Sequence, residues 1–149
     1  MKIGGVLSTI LNEKGPQVWS VTGDTLVFDA IKFMSEKNVG ALPVVEGNRL
    51  IGIVSERDYT RKIILKGKSS KKTPVREIMS EQVAVAHPCD TAEDCMRIMT
   101  EKHIRHLPVI EDGEMVGIIS IGDLVNWVIS AQNATIEQLE QYIGGGYSA

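Results

Sequence analysis

The segment from Gly40 to Asp58 reads Gly-Ala-Leu-Pro-Val-Val-Glu-Gly-Asn-Arg-Leu-Ile-Gly-Ile-Val-Ser-Glu-Arg-Asp. It returns 65 residues later, without a gap, as Arg105 to Asp123. Extended back to Asp29 and Asp94, 12 of 30 paired positions are identical. Most others exchange like for like, as in Lys32/Arg97, Ser35/Thr100 and Val39/Ile104. Such a repeat restricts the fold sharply, because each copy is one structural unit that covers its apolar face with its twin. A pseudo-twofold pair also has two related clefts between the copies.

The bulk numbers agree with one shared body. A half of about 65 residues would be marginal alone, so the 149 residues are expected to fold together. Net charge is −3, which gives no global field toward nucleic acid or anionic lipid. No apolar run approaches the ~18 residues of a membrane helix, and no signal peptide is read at the start. The expectation is a cytoplasmic protein with neither a membrane nor a nucleic-acid partner. Two cysteines, Cys89 and Cys95, are too few for a disulfide scaffold. With His87 they make a poor metal set, so no metal is expected; one loop thiol and one buried helix thiol is the plainer reading.

Periodicity supplies the elements. Ile3, Val6, Leu7, Ile10 and Leu11 recur at helical spacing, and Gly15-Pro16 ends that helix. Val18–Val21 reads as a short strand, and Asp24 as the cap of a helix carrying Val27, Ala30, Ile31 and Met34. Leu42–Val45 and Leu50–Val54 are strands around a Gly47-Asn48 turn, and Ser55 opens a helix that ends at Gly67. The second copy repeats the order. A strand runs near Val83–Ala86, a helix spans Thr91–Lys102 with Asp90 and Glu93 at capping-box spacing, strands cover Leu107–Ile110 and Met115–Ile119, and a helix starts at Ser120. Thr135 is read as the start of a last helix, and the tail from Gly144 as frayed. The organisation expected is an N-terminal helix in 1–14, a first repeat in 15–67, a linker with a short helical turn in 68–79, a second repeat in 80–132, and a C-terminal helix and tail in 133–149. The fold class is α/β (α+β): two β-α-β-β-α repeats related by pseudo-twofold symmetry, sheets packed together, with extra helices at both ends.

Each repeat closes on Gly-Ile-(Val/Ile)-Ser-x-x-Asp, Gly52 to Asp58 and Gly117 to Asp123. An apolar strand runs out, a hydroxyl follows, and a carboxylate sits one turn into a helix. Asp can accept two hydrogen bonds from a ribose diol. Ser and the free N–H groups of a helix start suit a phosphate, and the Leu-Pro-Val strand start offers apolar and backbone contact to a flat base. The same Ser-x-x-Asp also makes a capping box, and both copies would cap equally well.

The arrangement resembles a tandem cystathionine-β-synthase (CBS) domain pair, the Bateman module, over roughly residues 15–130, through the doubled Leu-Pro-Val and Gly-Ile-x-Ser-x-x-Asp strings. Ser-Glu-Arg-Asp58 and Arg-His-Leu-Pro-Val109 resemble the stand-alone bacterial group. The resemblance implies adenosyl ligands in the clefts: AMP or NAD(H), with ADP and ATP as further members. It implies that the first cleft joins Ser55, Arg57 and Asp58 to Arg105, His106 and Pro108. The second would join Ser120 and Asp123 to Gly40, Ala41 and Pro43. The first holds two arginines and a histidine; the second has Gly40, Ala41, Ile121 and Gly122 at matching places. Arginine's planar fork is the better phosphate partner, so the first cleft should favour the phosphate-rich ligand.

Other residues have plainer readings. Arg61 and Lys62 suit a solvated face, and Lys66 to Lys72 a flexible linker, since no aromatic platform for bases accompanies them. Trp19 suits either adenine stacking or core packing. Trp127, Ile129 and Tyr142 suit core or interface, and CBS pairs commonly form homodimers through these helices. No activated nucleophile, metal cluster or acid–base pair stands out, so no catalytic residue is assigned. The expectation is a non-catalytic sensor of adenine nucleotides acting on a regulated protein. The alternative is a protein–protein adaptor whose Ser-x-x-Asp motifs are helix caps.

Overall fold

The computed structural model describes residues 6–15 and 17–144. Ile3, Pro16 and the tail from 145 lie outside the described residues, as do the side chains of Val6, Tyr142 and Ile143. The helices are α1 (Val6–Lys14), α2 (Val27–Lys37), α3 (Glu56–Tyr59), α4 (Ala92–Lys102) and α5 (Ile121–Gly144). The strands are β1 (Ala41–Glu46), β2 (Arg49–Ser55), β3 (His106–Glu111) and β4 (Glu114–Ser120). A π-helical turn, Thr60–Ile64, continues α3, and Val75–Glu77 is a 3-10 turn.

The repeat is reproduced at the level of single dihedrals. α2 and α4 both end on a left-handed residue, Asn38 at φ 56° and His103 at φ 55°, 65 positions apart. Each hairpin carries its irregularity at the same place, between Val44 and Val45 and between Val109 and Ile110. The two hairpins form separate two-stranded antiparallel sheets, and Met115 N donates to Asn48 O at 3.1 Å between them.

Two cores result. The first gathers Val27, Ala30, Met34, Leu42, Val44, Val54 and Ile63; the second gathers Ala92, Cys95, Met99, Leu107, Val109, Ile119 and Leu124. The leaders of the repeats are exchanged. α1 precedes the first repeat but buries Leu7 and Ile10 in the second core, whereas Val75 and Ile78, which precede the second repeat, complete the first. Backbone bonds repeat the exchange: Leu7 N and Ser8 N donate to Asp90 O and Pro88 O, as Val75 N and Arg76 N donate to Thr25 O and Gly23 O. Neither repeat is complete without the segment ahead of its twin.

Several local expectations are corrected. The strands read at Val18–Val21 and Val83–Ala86 shrink to single parallel rungs, Val21 on Val44 and Ala86 on Val109. Asp24 does not cap α2; its carboxylate pairs with Arg76. The first N–H groups of α2 are satisfied from the linker instead, Val27 N by Thr73 O and Phe28 N by Ser70 O. The lysine-rich linker is therefore pinned to α2, with Lys71 lying 5.0 Å from the Phe28 ring. The box on α4 is Thr91 with Asp94, one residue later than read, because Asp90 accepts from His87 N. No break falls at Thr135, since α5 runs on as one helix.

Candidate functional site

The end of β2 builds the first half of the site. Ser55 is extended at φ −130° and caps α3, its side chain accepting from Asp58 N. Its N–H donates to Asp58 Oδ2 at 2.9 Å, its hydroxyl donates to the same oxygen at 3.1 Å, and Asp58 N donates back to Ser55 Oγ at 3.2 Å. The other carboxylate oxygen, Oδ1, lies 3.2 Å from Lys62 Nζ. Lys62 also donates to Ile78 O at 2.8 Å, so it is not the solvated side chain the sequence suggests. Ser120 and Asp123 repeat the geometry, with Ser120 N to Asp123 Oδ2 at 2.9 Å and Asp123 N to Ser120 Oγ at 3.1 Å. Both motifs are helix caps in this structure. Capping uses one carboxylate oxygen of each and leaves the other with lone pairs for a further donor.

A cleft of about 630 Å³ opens over the first of these caps. That volume lies within the ~300–1,000 Å³ range of small-molecule sites. Ser55, Arg57 and Asp58 form one wall, and Arg105 and His106 from the other repeat form another. Gly40 and Ala41 line this cleft as well. The hairpin register requires it: Ala41 pairs with Ser55, and Gly40 O accepts from Glu56 N at 3.0 Å. A strand start therefore stays beside the serine of its own hairpin, as His106 does beside Ser120.

Pro43, Pro108, Ser120 and Asp123 do not line this cleft. The two prolines are buried, and their carbonyls are taken by the single-rung bridges, Pro43 O by Val21 N and Pro108 O by Ala86 N. The apolar lining comes instead from Ile53, Val83, Ala84 and Ile104. Sequence reasoning missed Val83 and Ala84 as lining residues, together with Gln82 and Ser80. The signal lay in their position just ahead of the second repeat: Ser80 pairs with Ile53 in both directions, at 2.9 and 3.0 Å, and this lays the following residues along the cleft. Glu56 was missed as an acid inside the cleft. Trp19 packs on the first core with the Lys37 ammonium 5.3 Å from its ring, and does not line the cleft.

The electrostatics favour an anion on one side. Arg57 and Arg105 are exposed at the cleft, and His106 is half-buried there. Burial, then the nearby Lys14 and Arg105 charges, push the His106 imidazole below its ordinary value, against the opposing pull of Asp123. Burial pushes the Asp123 carboxyl up, but hydrogen bonds from Lys14 and Ser120 outweigh it and hold the group below the usual carboxylate range. Among the described residues, no three His, Cys, Asp or Glu side chains gather as a metal set. No described helix is long and apolar enough to cross a membrane.

Comparison with known proteins matches this architecture. The CBS domain family profile fits residues 14–65 and again 75–130. The mitochondrial CBS domain-containing protein CBSX3 of Arabidopsis thaliana is 43% identical over 151 aligned residues, covering 95% of this chain and 73% of that protein. A solved protein with CBS domains from Burkholderia ambifaria superposes with a TM-score of 0.79 at 47% identity, covering 85% of this chain and 95% of that one. CBSX2, solved in complex with AMP, superposes with a TM-score of 0.68 at 28% identity, over 77% of this chain and 90% of that one. With two profile matches on two repeats of one hairpin-and-helix unit, the chain belongs to the CBS-domain family as a tandem pair.

Proposed function

We propose that this CBS pair is a non-catalytic regulatory module that binds an adenine nucleotide, AMP or NAD(H), with ADP and ATP as further candidates. The observation that carries this is the cleft of about 630 Å³ in which the Ser55–Asp58 cap of one repeat faces Arg105 and His106 of the other. Asp58 Oδ1 is the acceptor for the ribose hydroxyls, with Lys62 turning aside. Arg57, Arg105 and His106 take the phosphate. The base lies against Ile53, Val83 and Ala84, with backbone groups of Gln82–Ala84 reading its edge. The AMP complex of CBSX2 supports the same ligand class. The module contributes no reaction of its own and passes the nucleotide signal to a regulated protein.

Thermal unfolding tests the reading. AMP or NAD(H) should raise the melting temperature by mass action on the native state, and GMP and pyrimidine nucleotides should raise it much less. Equal shifts for all bases would reject a base-reading cleft.

An adaptor without nucleotide is the second reading. It is favoured by one observation, that both Ser-x-x-Asp motifs already form complete caps. The absence of a shift with any nucleotide would select it.

Either reading is compatible with a homodimer. Ile121, Val125, Ile129, Ile136 and Leu139 are exposed along α5 and leave an apolar helix face uncovered. An isologous twofold contact is the commonest way to cover such a face. Sedimentation at tens of micromolar protein should report a dimer, and a monomer there would contradict it.

A further inference from the structure

His106 stands one residue ahead of Leu107 on β3. Successive strand side chains point to opposite faces, so Leu107 is buried in the second core while His106 lines the cleft. The hairpin register sets it opposite Ser120.

The charged groups around this imidazole come from both repeats. Lys14 of α1 is fixed, donating to Asp123 Oδ2 at 2.8 Å and to Ile118 O at 2.9 Å. Asp123 of α5 is engaged by that ammonium and by Ser120 N. Arg105 precedes His106, and His103 at the end of α4 lines the same cleft. Across the cleft α3 presents Glu56, Arg57 and Asp58, with Asp58 met by Lys62. Burial, then Lys14 and Arg105, hold the imidazole below its ordinary value against the pull of Asp123. At neutral pH it is therefore largely uncharged, so the empty cleft presents Arg57 and Arg105 but not a third full cation.

A phosphate reverses this balance. A negative charge placed close to an imidazole favours its charged form, and the imidazolium then adds a charge-assisted bond to the anion. We infer that His106 takes up a proton from solvent when a nucleotide phosphate enters the first cleft, so that binding strengthens as the solution turns mildly acidic. The inference rests on the nucleotide reading of that cleft and adds a pH sensitivity to it. The phosphate itself cannot supply the effect: a monoester titrates near pH ~6, and surrounding cations make it release protons rather than bind them.

Calorimetric titration with AMP, in buffers of different protonation enthalpy, is the test. The parent should take up part of a proton at pH 7, and its affinity should rise about fivefold from pH 8 to 6.5. His106→Gln should abolish the uptake and hold the affinity within about twofold over the same range. His103→Asn, which places in the second repeat the residue found at Asn38 in the first, should keep the parent's uptake. AMP binding by the parent without proton uptake, or an uptake that survives in folded His106→Gln, would overturn the inference and leave the nucleotide reading standing. Should His106→Gln fail to fold, parent and His103→Asn still decide it, because only these two histidines line the cleft among the described residues; uptake lost in His103→Asn would overturn the assignment. No AMP binding by the parent would overturn the nucleotide reading itself, and this inference with it.

Discussion

Leu11 of α1 lies so close over Gly117 of β4 that a β-carbon at that glycine has no room. The same arrangement recurs in the first repeat, where a β-carbon on Gly52 would stand 2.8 Å from Met79 Sδ and 2.9 Å from Ser80 O. Each glycine lets the exchanged leader of the other repeat close onto a strand, and so joins the two halves.

The glycine pair makes a ranked prediction. Gly52→Ala and Gly117→Ala should each destabilise by overpacking, about 1–3 kcal/mol. Gly52→Ala should cost more. Leu11 can turn a side chain, whereas Ser80 O belongs to a backbone bridge with Ile53. Leu11→Ala should recover much of the Gly117→Ala loss, a coupling that a double-mutant cycle reads directly. Equal losses with no recovery would mean that the leaders are not packed as described.

The fold was legible in the sequence because repetition constrains more than propensity does. The 65-residue offset alone implies equal hairpins, and Asn38 and His103 share a backbone conformation although their side chains differ. Ser55 with Asp58, and Ser120 with Asp123, were visible because the motif is local. The exchange of leaders was hidden: Leu7 and Val75 sit at helical and turn spacings that would fit either repeat, and only tertiary contact decides which core they enter. Gly40 and Ala41 were assigned only to the other cleft; that the hairpin register also sets Ala41 beside Ser55 was not read. The linker was misread for a related reason. Its lysines describe solvent exposure, while its carbonyls, which sequence does not display, cap α2.

His106 gives a pH dependence with a defined sign. Its folded pKa is below the ordinary 6.5, so the unfolded chain binds more protons between the two values, and stability rises with pH across that window. Denaturant unfolding from pH 5 to 7.5 should show stability falling as pH drops through the ordinary histidine range. His106→Gln should flatten that slope, and Lys14→Met should narrow the window by removing one of the charges that depress it. An unchanged slope in His106→Gln would assign the dependence elsewhere.

The two thiols should separate cleanly. Burial, then Asp90 and Asp94, push the Cys95 thiol up to about 12, whereas Cys89 is exposed. Because the thiolate is the reactive form, an aromatic disulfide reagent at pH 8 should titrate one thiol quickly and the second only on unfolding. Cys89→Ser should remove the fast phase. Two fast thiols in the native protein would contradict the buried placement of Cys95.

The most direct test of the central claim is AMP titration of Asp58→Ala beside the parent, with melting curves for both. Asp58 both caps α3 and faces the cleft, and the two roles leave different traces. Losing the cap should lower stability by about 1 kcal/mol. Losing the ribose acceptor should weaken AMP by roughly ten- to a hundredfold, the equivalent of about 1.5–3 kcal/mol for a charge-assisted bond. The account predicts both effects together. An Asp58→Ala protein that melts earlier yet binds AMP as tightly as the parent would show that Ser55 and Asp58 are only a cap, and that the cleft between the repeats is not the nucleotide site.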